Sequence, residues 1–190
     1  MSLGVLALQG DFEAHLGALR EIGAPAREVR HAAELLGLDG LVLPGGESTT
    51  LLHLMRDEPW FESIAKFHAR GGSLFGTCAG AILLAREVVP QQPSLGLLDV
   101  TIERNAWGRQ ADSFEARVDC PALGATLDAV FIRAPRFRQV GPGVEVLARH
   151  GGEPVLVEQG RLLAATFHTE IAGDTRVHQR FARAALGKAA

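Results

Sequence analysis

The chain has 190 residues, 47% hydrophobic and 22% charged, enough apolar material for one globular domain without help from disulfides or metals. A net charge of −3 gives no electrostatic case for nucleic acid, no apolar run approaches the length of a membrane span, and the opening MSLGVLALQGDF lacks the basic region of a signal peptide. Two cysteines, Cys78 and Cys120, are too few for a secreted disulfide scaffold, so a reducing, cytoplasmic compartment is expected.

Leu3 to Leu8 is a continuous apolar run, the mark of a strand buried on both faces. From Asp11 onward Phe12, Leu16 and Leu19 recur at helical spacing until Gly23 and Pro25 stop the helix. Ala26 to Arg30 reads as a second strand, and Leu38 to Leu43 as a third, ending in Pro44-Gly45-Gly46. Trp60, Ile64 and Phe67 restore the helical period, which closes at Gly71-Gly72. Ser73 to Thr77 is a fourth strand that runs into Cys78 and a helix of small residues, Ala79 to Arg86. This alternation predicts a doubly wound parallel sheet. After Pro90 the rhythm changes. Leu97 to Arg104, Ser113 to Asp119, Ala129 to Ala134, Val144 to His150 and Pro154 to Glu158 read as strands joined by short turns, adding antiparallel strands to the parallel core. Leu162 to Phe167 is again a dense apolar strand, and Asp174 to Leu186 a closing amphipathic helix with Val177, Phe181 and Ala184 or Ala185 inward. No repeat, low-complexity tract or linker divides the chain, so a single α/β domain over residues 1–190 is expected.

The sharpest local signal is Gly76-Thr77-Cys78-Ala79-Gly80, lying between a strand and a helix. It has the logic of a nucleophile elbow with cysteine in place of serine. Glycines two positions to either side relieve crowding against the neighbouring strand and helix. The helix N-terminus favours a thiolate. Cys120 ends an alternating run before Pro121 and reads as structural.

Of seven histidines, five (His15, His31, His53, His68 and His178) suit surface or helix-face roles among polar neighbours, and His150 ends a strand. His168 directly follows the apolar strand 162–167, on the sheet edge that lines the ligand crevice of such folds. Glu170 follows two residues later and, in extended backbone, points to the same side. A carboxylate there holds the imidazole tautomer, giving a triad in the order Cys, His, Glu. His-x-Glu also occurs in zinc deaminases, but their Pro-Cys-x-x-Cys pair is absent, so no metal is expected. Acyl transfer needs oxyanion donors. The segment Pro44 to Thr50 leaves the third strand for a helix that Ser48 or Thr49 is placed to cap, and it lacks the lysine of a phosphate loop.

Together these segments resemble the class I (triad) glutamine amidotransferases, and within them the glutaminase subunits of pyridoxal 5'-phosphate synthase, the PdxT family. The likeness rests on Leu8-Gln9-Gly10, Pro44 to Thr50, Gly76 to Gly80, the run Glu103-Arg104-Asn105-Ala106-Trp107-Gly108-Arg109-Gln110, Asp112 to Glu115, Phe131-Ile132-Arg133-Ala134-Pro135 and Thr166-Phe167-His168. It implies a three-layer flavodoxin-like, mostly parallel sheet with added antiparallel strands. It also implies hydrolysis of L-glutamine to glutamate and ammonia through a thioester on Cys78, with His168 shuttling protons and Glu170 orienting it. By the same resemblance Gly46, Glu47, Ser48, Arg104, Ile132 and Arg133 contact glutamine, and Gln9, Gly10, Gly46 and Ala79 form or switch the oxyanion hole. Arg104 or Arg133 would pair with the substrate carboxylate and Glu47 with its ammonium. No cofactor is implied. The implied partner is a (β/α)8 synthase subunit in a large hetero-oligomer, which receives the ammonia and switches the glutaminase on. One departure stands out: the family usually reads His-Pro-Glu, and Thr169 replaces the proline. A glutaminase for another acceptor, a stand-alone cysteine hydrolase and a non-catalytic partner on the same scaffold are the competing readings.

Overall fold

A computed structural model describes residues 2–106 and 113–187. Its elements in chain order are β1 (Leu3–Leu6), α1 (Phe12–Glu21), β2 (Ala26–Val29), β3 (Gly40–Leu43), α2 (Ser48–Leu54), α3 (Trp60–Ala69), β4 (Ser73–Thr77), α4 (Ala79–Leu84) and β5 (Ala85–Val89). There follow β6 (Leu98–Glu103), β7 (Phe114–Cys120), β8 (Ala125–Phe131), β9 (Arg136–Val140), β10 (Glu145–His150), β11 (Glu153–Gln159), β12 (Leu162–Ala165), α5 (Thr169–Ala172) and α6 (Arg176–Leu186).

The large sheet runs β2-β1-β3-β4-β12-β11-β10-β7-β8. Its first five strands are parallel, in the flavodoxin-like order. The remaining four continue the sheet antiparallel. Successive side chains of a strand face opposite sides, and the parallel strands divide between two cores accordingly. Leu41, Leu43, Leu74, Leu162 and Ala164 enter a cluster with Leu51, Trp60, Ile64 and Phe67 from α2 and α3. Their neighbours Val42, Phe75, Leu163 and Ala165 enter the cluster holding Leu16 and Leu19 of α1 and Val177 and Phe181 of α6. Strands buried on both faces between helices give the three layers the sequence led us to expect.

Three expectations need correction. The helix after Cys78 ends at Leu84, and Ala85 and Arg86 open β5, because Val88, Val89 and Pro90 suit extended backbone better than helix. Strand β9 was not foreseen: its sequence RFRQV buries only Phe137, so charged and amide side chains hide its alternation. Finally, β5, β6 and β9 form a separate three-stranded sheet rather than extending the main one. Ile132 to Ala134 accordingly lie beyond the end of β8, in the connection to β9.

The strand order reverses between β1 and β3, the position where open α/β sheets leave a crevice beyond their carboxyl ends. The chain leaving β1 carries Gln9 and Gly10, that leaving β3 carries Gly45 to Glu47, β4 delivers Cys78 and β12 leads to His168.

Candidate active site

Cys78 sits between β4 and α4 at φ 46°, ψ −103°, a region side chains avoid. Both of its backbone groups are engaged: the amide donates to Ala165 O at 2.9 Å and the carbonyl accepts from the Ile82 amide at 3.1 Å. The flanking glycines are steric requirements. A Cβ on Gly76 would lie 2.5 Å from Gly80 C, and one on Gly80 would lie 1.9 Å from Leu43 O. Cys78 is 7% exposed, enough to reach the crevice.

His168 is anchored by its amide, which donates to Val130 O at 2.8 Å, and its ring is buried. Nδ1 lies 2.7 Å from Glu170 Oε1, and Cys78 lines the same cavity as the imidazole. Burial alone would depress its pKa, but the influence of Cys78 and Glu170 outweighs it and pushes it up to about 10. Burial likewise works against the Glu170 carboxylate, and the imidazoles of His15 and His168 overcome it, holding its pKa below the ordinary value. The Glu170 side chain reaches His168 by a different route from the expected extended backbone. His168 is the N-cap of α5 and Glu170 lies in the first turn of that helix, where the dipole also favours a carboxylate. Thr169 takes the first helical position, the one that tolerates proline best. Its hydroxyl lies 3.5 Å from His178 Nδ1.

Beside Cys78 and His168 opens a cavity of about 140 Å³. Gly46, Glu47, Ser48, Arg104, Ile132 and Arg133 all line it, so the positions carried over from the resemblance converge on one space. Gln9, Gly10 and Ala79 are not part of its lining. Gln9 instead clasps the loop after β3, with its amide nitrogen 3.5 Å from Gly45 O and its carbonyl accepting from the Glu47 amide at 3.3 Å. That loop packs against the imidazole so closely that a Cβ on Gly45 would lie 2.3 Å from His168 Cε1. Glu47, not Ser48 or Thr49, caps α2: its carboxylate accepts from the Thr49 amide at 3.2 Å and hydroxyl at 3.0 Å, and Arg104 stands 3.7 Å away. Burial raises the Glu47 pKa, but the Thr49 bonds and the charges of Arg104 and Arg133 bring it below the ordinary carboxylate value. Trp107 to Gln110 and Asp112 lie outside the described residues.

A family model for the SNO glutamine amidotransferase family matches residues 5–186. The chain belongs to that family. Among curated relatives, the pyridoxal 5'-phosphate synthase subunit PdxT of Deinococcus radiodurans is 53% identical over 187 residues, covering 95% of both chains. A subunit of the same description from Thermus thermophilus is 53% identical over 182 residues, covering 94% of this chain and 95% of the relative. A crystal structure of a glutamine amidotransferase superposes with a TM-score of 0.91 at 52% identity, covering 96% of this chain and 98% of the other. PurLQS from Thermotoga maritima, at 17% identity and a TM-score of 0.73 over 95% and 96% of the two chains, shares the fold alone.

In this SNO family member the described non-glycine residues of positive φ are Cys78, Asn105 and Arg133, and all three line the cavity. Strained backbone gathered at one crevice is a property of functional sites. Sequence reasoning missed Asn105, Ile82 and Asp11 in that lining. Asp11 brings a second carboxylate 3.6 Å from His168 Nδ1. It also misjudged His15 and His178, which are fully buried. The signal was present in the spacing: His15 falls three residues after Phe12 and four before Leu19, and His178 three before Phe181 and four before Ala182, on the inward faces of α1 and α6.

Proposed function

We propose that this member of the SNO glutamine amidotransferase family is the glutaminase subunit of a pyridoxal 5'-phosphate synthase, working in the cytoplasm as one domain over residues 1–190. The carrying observation is the constellation itself: Cys78 on a strained elbow, sharing with an imidazole that Glu170 holds at 2.7 Å a cavity lined by Glu47, Arg104 and Arg133. The PdxT names of relatives about half identical in sequence support the choice of acceptor system.

In this reading Glu47 receives the α-ammonium of L-glutamine and Arg104 or Arg133 its α-carboxylate, which points the side-chain amide at Cys78. The sulfur attacks the amide carbon, and negative charge moves onto the carbonyl oxygen. Cys78's own amide is committed to Ala165, so the oxyanion donors are sought at the Ala79 amide, the first of α4, and at Gly46, with the Gln9-Gly10 peptide as the switch. His168 gives its proton to the departing nitrogen, and ammonia leaves a γ-glutamyl thioester. Water then attacks the thioester with His168 as base, releasing glutamate and restoring the thiol. No step needs a cofactor. Ammonia passes to the (β/α)8 synthase subunit, and docking of that subunit in a hetero-oligomer turns the Gln9-Gly10 peptide to complete the hole.

The test is steady-state glutamate release at saturating glutamine, with and without the synthase subunit from the same organism. Low turnover alone and a rise of about 10²–10³-fold on docking, the scale of one oxyanion donor, are expected. Full activity of the isolated chain, unchanged by the synthase, would move the assignment to a stand-alone hydrolase.

A further inference from the structure

Behind the site, on the α1–α6 side of the sheet, lies a line of polar groups the mechanism above does not use. Thr169 Oγ1 is 3.5 Å from His178 Nδ1, His178 Nε2 is 2.9 Å from His15 Nδ1, and His15 Nε2 is 3.0 Å from Thr77 Oγ1 and 3.5 Å from Glu170 Oε1. Each of these side chains is buried. Phe75 walls both imidazoles edge-on, at 6.0 and 5.5 Å between ring centroids.

The charged groups facing the two histidines are Glu170, His168, Asp11 and Asp174. Burial nonetheless lowers both imidazole pKa values, that of His178 to about 3, so both rings are neutral and carry one proton each. Two neutral rings sharing a hydrogen bond leave only two directions for the chain. In one, Thr169 donates to His178, His178 to His15, and the His15 Nε2–H donates to Thr77 Oγ1 at 3.0 Å with Glu170 Oε1 3.5 Å away. In the other every bond reverses and the His15 Nε2 lone pair faces the Glu170 carboxylate, which is repulsive in a dry interior. The carboxylate therefore selects the first direction. Oε1 of Glu170, 3.5 Å from His15 Nε2, is the oxygen bonded to His168 Nδ1 at 2.7 Å. Oε2 is buried with no hydrogen-bond partner among the described residues, so the ring N–H groups near the carboxylate meet it at Oε1.

We propose that His15 and His178 are positioning residues of this site: a one-way chain from Thr169 through His178 and His15 presents an N–H to Glu170 and holds the carboxylate that orients His168. The proposal rests on the glutaminase reading of Cys78 and His168, and its test separates the two.

Nitrogen-15 NMR of imidazole-labelled protein reads the tautomers directly, whatever the enzyme does. Both His15 and His178 should be neutral with the proton on Nε2; an imidazolium or an Nδ1–H tautomer at either overturns the chain. Kinetics with the synthase subunit then read its consequence. His15→Phe should lower kcat by about 10- to 100-fold, the scale of a catalytic group displaced by up to about 1 Å, with KM for glutamine within about 2-fold, and should move the acid limb of the kcat profile. His15→Gln, whose amide places an N–H near the lost Nε2, should recover most of that loss, and Thr169→Val should cost a few-fold. Equal losses in the Phe and Gln variants at equal folded fraction, or a fully active Phe variant, would overturn the positioning role. If His15→Phe does not fold, Thr169→Val, the Gln variant and the tautomers decide. A wild-type complex without glutaminase activity sinks the function instead and leaves the tautomer test standing.

Discussion

Replacing Gly80 with alanine tests whether the elbow is set by sterics. The added Cβ would stand 1.9 Å from the carbonyl oxygen of Leu43 and 2.7 Å from its carbonyl carbon. Ordinary contact begins at 3.4 Å, so α4 and β3 must separate by about 1.5 Å at this point. Both obstacles are backbone atoms of a central strand bonded on either side, and no rotamer change relieves them. Overpacking of this kind costs about 1–3 kcal/mol. The displaced segment begins two residues after Cys78, and a misplacement of about 1 Å costs about 10²-fold in rate. We expect Gly80→Ala to remain folded with a lowered melting temperature and to lose at least about 10²-fold in kcat with the synthase present. Gly17→Ala is the control, since that glycine lies in α1 with nothing near its would-be Cβ, and it should be neutral or slightly stabilising. The assays are glutamate release and thermal unfolding followed by circular dichroism. Wild-type turnover in Gly80→Ala would show that close packing against Leu43 does not position the nucleophile, and the account of the elbow would fail.

Cys78→Ala should abolish glutamate release, whereas Cys120→Ala, at the buried end of β7 with its thiol pushed up by burial, should retain it; mass spectrometry after treatment with a glutamine-like electrophile should find the label on Cys78. Glu47→Gln should raise KM for glutamine by about 10- to 100-fold, the worth of one hydrogen bond to a charged group, and an unchanged KM would remove Glu47 from the substrate ammonium. His178, held near 3 against an ordinary 6.5, leaves the unfolded chain binding the extra proton between those values. Stability should therefore fall on acidification below about pH 6.5, by up to about 1.4 kcal/mol per pH unit; urea titrations at pH 6.5 and 5 should show a smaller drop in His178→Gln. His168 has the opposite sign: raised from 6.5 to about 10, it stabilises fully below 6.5 and loses that contribution as pH rises toward 10. His168→Gln should accordingly flatten the alkaline limb of a stability profile.

The parallel half of the fold was legible because its strands are buried on both faces and read as plain apolar runs between helical periods. Cys78 and His168 were legible for a related reason, each following such a strand at the sheet edge. Legibility faded where local pattern and tertiary demand part. RFRQV shows little hydrophobic alternation, so β9 was invisible, and with it the separate sheet in which the foreseen strand β6 pairs. Glu170 reached His168 through a helical turn that a four-residue element cannot announce. His15 and His178 lay on correctly drawn helix faces, but a histidine among apolar residues reads as surface until its partners are known, and those partners stand 163 residues apart in the chain.

The hydrogen bond from the Cys78 amide to Ala165 O, with Ala165 opposite Thr77 in the sheet register, makes the β4–β12 pair a fixed gauge. Nucleophile and imidazole are both measured off the same two rods, within three residues of the shared rung, so neither can drift without the other. Much of the cavity's other lining hangs instead from irregular connections: 46–47 after β3, 104–105 after β6 and 132–133 after β8. Changes in those connections can thus retune what enters the cavity, while the ladder keeps the spacing between sulfur and imidazole.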